Sequence, residues 1–228
     1  MNHEPCLPAG MTKMNNSLRN KKILITAGPT WIPIDDVRVI SNISSGELGI
    51  LLAKQAAAKG FKVDLFLGPI GQTKIEKNIR IFRFTYFNEL LNLVQRHLAS
   101  KKYDIILHAA AVSDYLVKRV QGKISSKKNN LMLKLKKTPK IIEIMRRLNP
   151  KAFLVMFKLE TGVTDAILLK RALEAMKKAG ADLVVANTFN SGAYKGFILG
   201  SDNVLSKSPS KKELSDNLFK ILNEKSFP

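Results

Sequence analysis

Short apolar runs and amphipathic stretches alternate along the chain. Runs of strand length, several rich in β-branched residues, fall at Ile23 to Thr26, Lys62 to Phe66, Arg80 to Phe84, Ile105 to His108, Phe153 to Phe157 and Leu183 to Ala186. Between them the spacing predicts helices over Gly46 to Lys59, Phe87 to Ala99, Pro139 to Leu148 and Asp165 to Ala179. Strand and helix in alternation imply an α/β fold, a doubly wound and mainly parallel sheet with right-handed crossovers. Ser210 to Asn223 reads as a closing helix, with Ser210 as N-cap and Glu213 at the capping-box position.

One segment breaks the pattern. From Ser113 to Lys137 there is no clean helical period, and the residues from Leu131 onward alternate apolar and basic as a half-exposed strand does. The Asn129-Asn130 pair before them suits a hairpin turn, so a small excursion from the main sheet is expected over roughly Lys123 to Lys136. Such an arm serves as a lid or as a dimer contact.

The first strand leads into the most polar loop of the chain. Ala27-Gly28-Pro29-Thr30 ends the strand with turn residues, and Asp35, Asp36, Arg38 and Asn42 follow. Ser44-Ser45-Gly46 then stands where a helix N-cap belongs, ahead of the Leu48, Leu51, Leu52, Gln55, Ala56 spacing. Free backbone N–H groups at such a terminus, backed by the helix dipole, favour a phosphate. There is neither a G-x-x-x-x-G-K-[ST] motif nor a G-x-G-x-x-G after the first strand, which disfavours Walker-type NTPases and standard NAD enzymes.

Composition changes the picture in two respects. The formal charge of +20 is what a nucleic-acid binder would show, but the lysines are spread along the chain without a recognition helix or an aromatic RNA-binding signature. A general positive field also draws in small polyanionic substrates. Cys6 is the single cysteine, so disulfide and cysteine-metal scaffolds are excluded and a cytoplasmic setting fits. His3, His97 and His108 lack metal-ligand spacing, and no apolar run is long enough to span a bilayer. Residues 1–20 read as a disordered tail and 21–228 as a single domain.

Several strings together carry a family resemblance. They are TAGPT and PIDDVRVISNISSGELG in the first loop, HAAAVSDY at His108 to Tyr115, GKISS at Gly122 to Ser126, FKLET at Phe157 to Thr161, and ADLVVANT at Ala181 to Thr188. In that order the chain resembles the phosphopantothenate–cysteine ligases (phosphopantothenoylcysteine synthetases) of coenzyme A biosynthesis, from Lys21 to Leu222. The resemblance implies a Rossmann-like fold, a homodimer, and a stand-alone form without the flavin-dependent decarboxylase to which many bacterial members are fused. It implies the substrates 4′-phosphopantothenate and L-cysteine, with CTP or ATP and Mg²⁺. The acid is converted to an acyl-nucleotidylate with release of pyrophosphate, and the amino group of cysteine then displaces the nucleoside monophosphate.

Roles follow only where the strings match. Asn42 corresponds to the asparagine that holds the acyl-nucleotidylate, and Arg38 to the arginine upstream that orders the loop or meets phosphate. Ser44, Ser45 and Gly46 match the phosphate-meeting segment, while Ala110, Ala111 and Asp114 match the strand end that lines the nucleotide. Lys123 matches the lysine beside the reacting centre, Phe157 the residue beside the base, and Asn187 the asparagine of the A-N element. Two departures stand out: Lys140 occupies the position of an aspartate, and Ala175 and Ala179 fall where many CTP-using members carry lysines, leaving Lys178 as the candidate cation. An NAD(P)-dependent reductase of Rossmann fold and a basic nucleic-acid-binding module are the rival readings.

Overall fold

The computed structural model describes residues 18–127, 129–190, 193–225 and 227. Its centre is an eight-stranded sheet. Strands β1 (Lys22–Ala27) and β4 (Lys62–Leu67) are buried at every position after the first, and β6 (Ile105–His108) at its first three. Covered on both faces, they read as continuous apolar runs rather than alternating ones.

β1 pairs in parallel with β4 on one side and β6 on the other. β5 (Ile79–Arg83) extends the sheet beyond β4, while β9 (Phe153–Glu160) and β10 (Leu183–Asn190) extend it beyond β6. The chain therefore winds outward from β1 in one direction, returns, and winds outward in the other. The switch lies between β1 and β6, and in such sheets ligands bind where the strand ends splay apart.

Two strands beyond β10 were not read from the sequence. β11 (Ala193–Leu199) and β12 (Val204–Ser208) add an antiparallel meander to that edge. Helices α1 (Glu47–Ala58) and α5 (Lys211–Asn223) cover one face of the sheet. The opposite face carries α2 (Phe87–Ser100), α3 (Ile141–Leu148) and α4 (Asp165–Ala179). The side chain of Ser210 caps α5, accepting from the Glu213 N–H at 3.2 Å as the sequence implied.

Other details correct the sequence reading. α1 buries Gly49, Ile50, Leu52, Ala53, Ala56 and Ala57, so Leu48, Leu51 and Gln55 flank its buried stripe. Small residues win because the helix lies very close to β1: a Cβ on Gly49 would come 2.5 Å from that of Ala27. The long first loop also has structure of its own, for β2 (Trp31–Pro33) and β3 (Val39–Ser41) form an antiparallel pair. The excursion leaves the main sheet as expected, but β8 (Leu135–Lys137) pairs with the distant β7 (Tyr115–Val117), not with a strand just ahead of Asn129-Asn130. Leu18, assigned to the tail, is 4 % exposed and packs in the core, and the Asn20 N–H donates to the Gly60 carbonyl at 3.0 Å. Cys6, His3 and the rest of 1–17 lie outside the described residues.

Candidate active site

A cleft of about 880 Å³ opens at the carboxyl ends of the central strands. Its floor is set by backbone. The Ala111 N–H donates to the Gly28 carbonyl at 2.9 Å, the Ala110 N–H to Thr26 Oγ1 at 3.1 Å, and the Ala111 carbonyl accepts from the Thr30 N–H at 3.2 Å. These bonds carry the β1–β6 pairing past the ends of both strands. Asn42 joins them, its Nδ2 donating to the Ala111 carbonyl at 3.2 Å, so its amide is oriented from the far side of the cleft.

The start of α1 forms one wall. Gly46 is the N-cap, at φ 70°, and it has no side chain with which to cap. Ser44 and Ser45 stand in, their hydroxyls accepting from the Gly46 and Glu47 N–H groups at 3.4 Å, a length that makes both contacts weak. The first-turn amides lack intrahelical partners and sit at the positive end of the dipole, the arrangement that suits an anion.

On the side of α3 and α4 the lining is richer in lysine. Lys140, Lys158 and Lys178 line it together with Asp114 and Glu143. Lys140 donates to Asp114 Oδ1 at 2.6 Å, and Lys158 lies 3.2 Å from Glu160. Lys178 is exposed and, among the described residues, makes no hydrogen bond or ion pair. The lysine that replaces the family's aspartate thus occupies Asp114.

His108 closes the floor beneath this wall, its Nδ1 2.9 Å from Thr26 Oγ1. Burial pulls its imidazole down to about 4 from 6.5, which leaves the ring neutral at neutral pH. The unfolded chain takes up this proton first as pH falls, so the contribution to stability is complete above 6.5 and is lost towards 4. Urea unfolding should show wild type losing about 2 kcal/mol more than His108→Gln between pH 7 and pH 5. Equal losses in the two proteins would count against an imidazole held neutral at this half-buried position.

Arg38 and Lys123 do not line the cleft. Asp35, 2 % exposed, accepts from the Val37 and Arg38 N–H groups and from the Arg38 guanidinium, while Arg38 Nη2 also donates to the Ile124 carbonyl at 2.7 Å. The guanidinium, aided by the Ile124, Val37 and Arg38 N–H groups, holds the Asp35 carboxyl below the usual carboxylate range against the opposing effect of burial. Asp35 Oδ2 takes the Ile124 N–H at 3.0 Å, and Asp36 Oδ2 takes the Gly122 N–H at 2.8 Å. Arg119 beside Asp36 lowers that carboxyl as well. Both neighbours of Lys123 are therefore clamped to the first loop, and the lysine is presented exposed between them.

The last wall comes from β9, β10 and β11. Phe157, Leu159, Asn187, Phe189 and Tyr194 line it, with Lys211 of α5 ion-paired to Glu47 at the mouth. Two buried polar atoms here, Asn187 Oδ1 and the Tyr194 hydroxyl, have no hydrogen-bond partner among the described residues.

One lining thus brings together Asn42, Ser44, Ser45, Gly46, Ala110, Ala111, Asp114, Phe157, Lys178 and Asn187 from the sequence-derived set. Sequence reasoning missed Tyr194, Lys211 and the clamping role of Asp35 and Asp36. Only the Asp-Asp pair left a signal, as two carboxylates in a loop too polar for a plain connection.

A doubly wound α/β sheet with a polar cleft at its switch point is a fold of Rossmann-like class. The chain belongs to the family described as DNA/pantothenate metabolism flavoprotein C-terminal domain, which matches residues 18–223. A coenzyme A biosynthesis bifunctional protein CoaBC of Thermococcus kodakarensis is 39 % identical over 210 residues, which are 89 % of this chain and 51 % of that protein. The chain spans about half the length of the curated relatives it matches. A DNA/pantothenate metabolism flavoprotein from Streptococcus pneumoniae superposes with a TM-score of 0.80 at 28 % identity, covering 89 % of this chain and 98 % of that one. The C-terminal domain of a CoaBC protein superposes with a TM-score of 0.74 at 26 % identity, covering 92 % and 97 %.

Proposed function

We propose that the protein is a phosphopantothenate–cysteine ligase of coenzyme A biosynthesis, acting in the cytoplasm. It joins 4′-phosphopantothenate to L-cysteine through an acyl-nucleotidylate and releases pyrophosphate and nucleoside monophosphate. The observation that carries the reading is the single cleft in which an oriented amide, a helix start and a free lysine converge. The family match and the likeness to the CoaBC proteins support it.

The chemistry fits that arrangement. A free carboxylate resists attack by an amine until one oxygen becomes part of a good leaving group. Lys178, Lys158 and Lys140 supply charge for the triphosphate on the α4 side, and Asn42 grips the mixed anhydride without attacking it. Lys123, on its clamped backbone, is the cation assigned to charge developing on phosphate, and the flexible stem of a lysine supplies the reach. The nucleotide is CTP, with ATP the alternative. Among the described residues no group of three or more His, Cys, Asp or Glu side chains could cage a metal. Mg²⁺ is accordingly assigned to the nucleotide, offsetting its charge, with Glu47, Asp114 and Glu143 the carboxylates within the lining.

Homodimerisation belongs to the same proposal. Val37, Ile40, Ile43, Val120, Met132 and Leu135 expose apolar side chains on the β2–β3 pair and the excursion, more than isolated surface residues would need. No helix among the described residues is long and apolar enough to cross a membrane. The turn after β1 leads into a hairpin, not directly into a helix, so the pyrophosphate of a dinucleotide lacks the glycine-rich cradle a reductase would provide.

Pyrophosphate release, measured with each nucleoside triphosphate and with or without 4′-phosphopantothenate and cysteine, tests the function. Release should require the acid and one nucleotide; release with no dependence on the acid would overturn the reading. Lys178→Ala should raise KM for the nucleotide roughly tenfold with little change in kcat, as expected for loss of one charge-assisted contact made equally in ground and transition states. An unchanged nucleotide KM would remove Lys178 from the site.

A further inference from the structure

His108 lines the cleft, and no step of the ligase reading uses it. It ends β6, in register with Thr26 of β1 on one side and Met156 of β9 on the other. Side chains alternate between faces along a strand. Leu24 and Ile106 belong to the core beneath α2 and α3, so Thr26 and His108, each two positions on, point to that same face.

The hydrogen bonds around the ring fix where its proton sits. Thr26 is fully buried, and its Oγ1 accepts the Ala110 N–H at 3.1 Å. The Thr26 hydroxyl proton then needs an acceptor of its own, and His108 Nδ1, at 2.9 Å, is the one it reaches among the described residues. Nδ1 therefore accepts, and the neutral ring carries its proton on Nε2. Burial keeps the ring in that neutral form. Nε2 has no partner among the described residues, yet it is not one of the orphaned atoms closed to solvent. Its N–H is presented to the cleft.

The surroundings select the acceptor. Ala110, Ile142, Met156 and Ala179 make the lining on this face apolar, whereas Lys140 and Lys178 stand exposed. Phosphate is drawn to those lysines and to the α1 start. It also suits His108 poorly, because protonating the ring to meet an anion would set a second N–H against the Thr26 hydroxyl and break that bond. An uncharged acceptor fits instead. A nucleobase tethered to phosphates at the lysines supplies one, with flat faces for the apolar slot.

We propose that His108 is a specificity-determining residue of this chain, its Nε2–H donating to the ring carbonyl of a cytosine base. This rests on the ligase reading and separates its two candidate nucleotides, because cytosine carries a ring carbonyl and adenine carries none. With the slot filled, a base that cannot meet the donor leaves it desolvated and unpaired, the form of mismatch that discriminates most strongly.

Two measurements test the assignment. Nitrogen NMR of histidine-labelled wild type should show His108 protonated on Nε2 and not on Nδ1. CTP should shift that N–H signal and slow its exchange with water, whereas inorganic triphosphate should do neither. His108→Phe keeps a flat ring and loses the donor. In pyrophosphate-release assays it should raise KM for CTP roughly tenfold, the effect of one hydrogen bond, while KM for 4′-phosphopantothenate and inhibition by inorganic triphosphate stay as in wild type. A ring protonated on Nδ1, an unchanged KM for CTP, or triphosphate inhibition weakened alongside it would overturn the inference and leave the ligase reading standing. So would a wild type that turns over ATP but not CTP. A wild type that releases no pyrophosphate with any nucleotide would overturn both.

Discussion

Asn42→Asp is expected to fold and bind nucleotide normally while its acid-dependent pyrophosphate release falls at least roughly a hundredfold, the usual cost of losing one aimed donor at a reacting centre. The amide is held by the Ala111 carbonyl, which Nδ2 reaches at 3.2 Å. A carboxylate in its place cannot donate. It would face that carbonyl oxygen on one side and the acyl phosphate on the other, opposing negative charge where the intermediate must form. Asn42 is exposed and borders the cleft, so the fold loses little and the damage concentrates in kcat. Single-turnover measurement of the pyrophosphate burst is the check, and a burst of wild-type rate and amplitude would remove Asn42 from the reaction.

Gly49→Ala is expected to destabilise the fold by about 1–3 kcal/mol, as overpacking of a close-packed contact does. Its added methyl would lie 2.5 Å from Ala27 Cβ and 3.1 Å from Ala27 Cα. Both atoms belong to β1 at the heart of the sheet, so α1 must move instead. In a chain of this size each kcal/mol lowers Tm by roughly 2–4 °C. Displacing α1 also displaces Ser44 to Gly46, and activity at a temperature where the variant is fully folded should fall too. A Tm equal to that of wild type would show that α1 and β1 are not in close contact at Gly49.

The parts of the fold that were legible share one physical property. β1, β4 and β6 are covered on both faces, and burial of that kind leaves an unbroken apolar run that needs no knowledge of its partners. The β2–β3 and β7–β8 pairs left no such trace. Every residue of β3 and β8 is exposed, and β7 meets β8 across the whole excursion. The pattern of α1 misled in part because Leu48 and Leu51 flank a buried stripe in which Gly49 and three alanines stand beside Ile50 and Leu52.

The site was legible to a different extent. Residue types and order suggested a phosphate-binding turn, and the family resemblance supplied individual roles. What no string could reveal was partnership at a distance. Asp36 binds the Gly122 N–H and Asp35 the Ile124 N–H, 86 and 89 positions along the chain. Lys140, conspicuous as a departure, proves to hold Asp114. Tyr194 resembled any strand aromatic, and what sets it apart is a buried hydroxyl with no hydrogen-bond partner among the described residues.

The most direct test of the account is a crystal structure with nucleoside triphosphate and 4′-phosphopantothenate bound. Density is expected between Asn42 and Lys178, with phosphate at the α1 start and the acid's carboxylate beside the Asn42 amide. Nucleotide bound elsewhere, with this cleft empty, would contradict it.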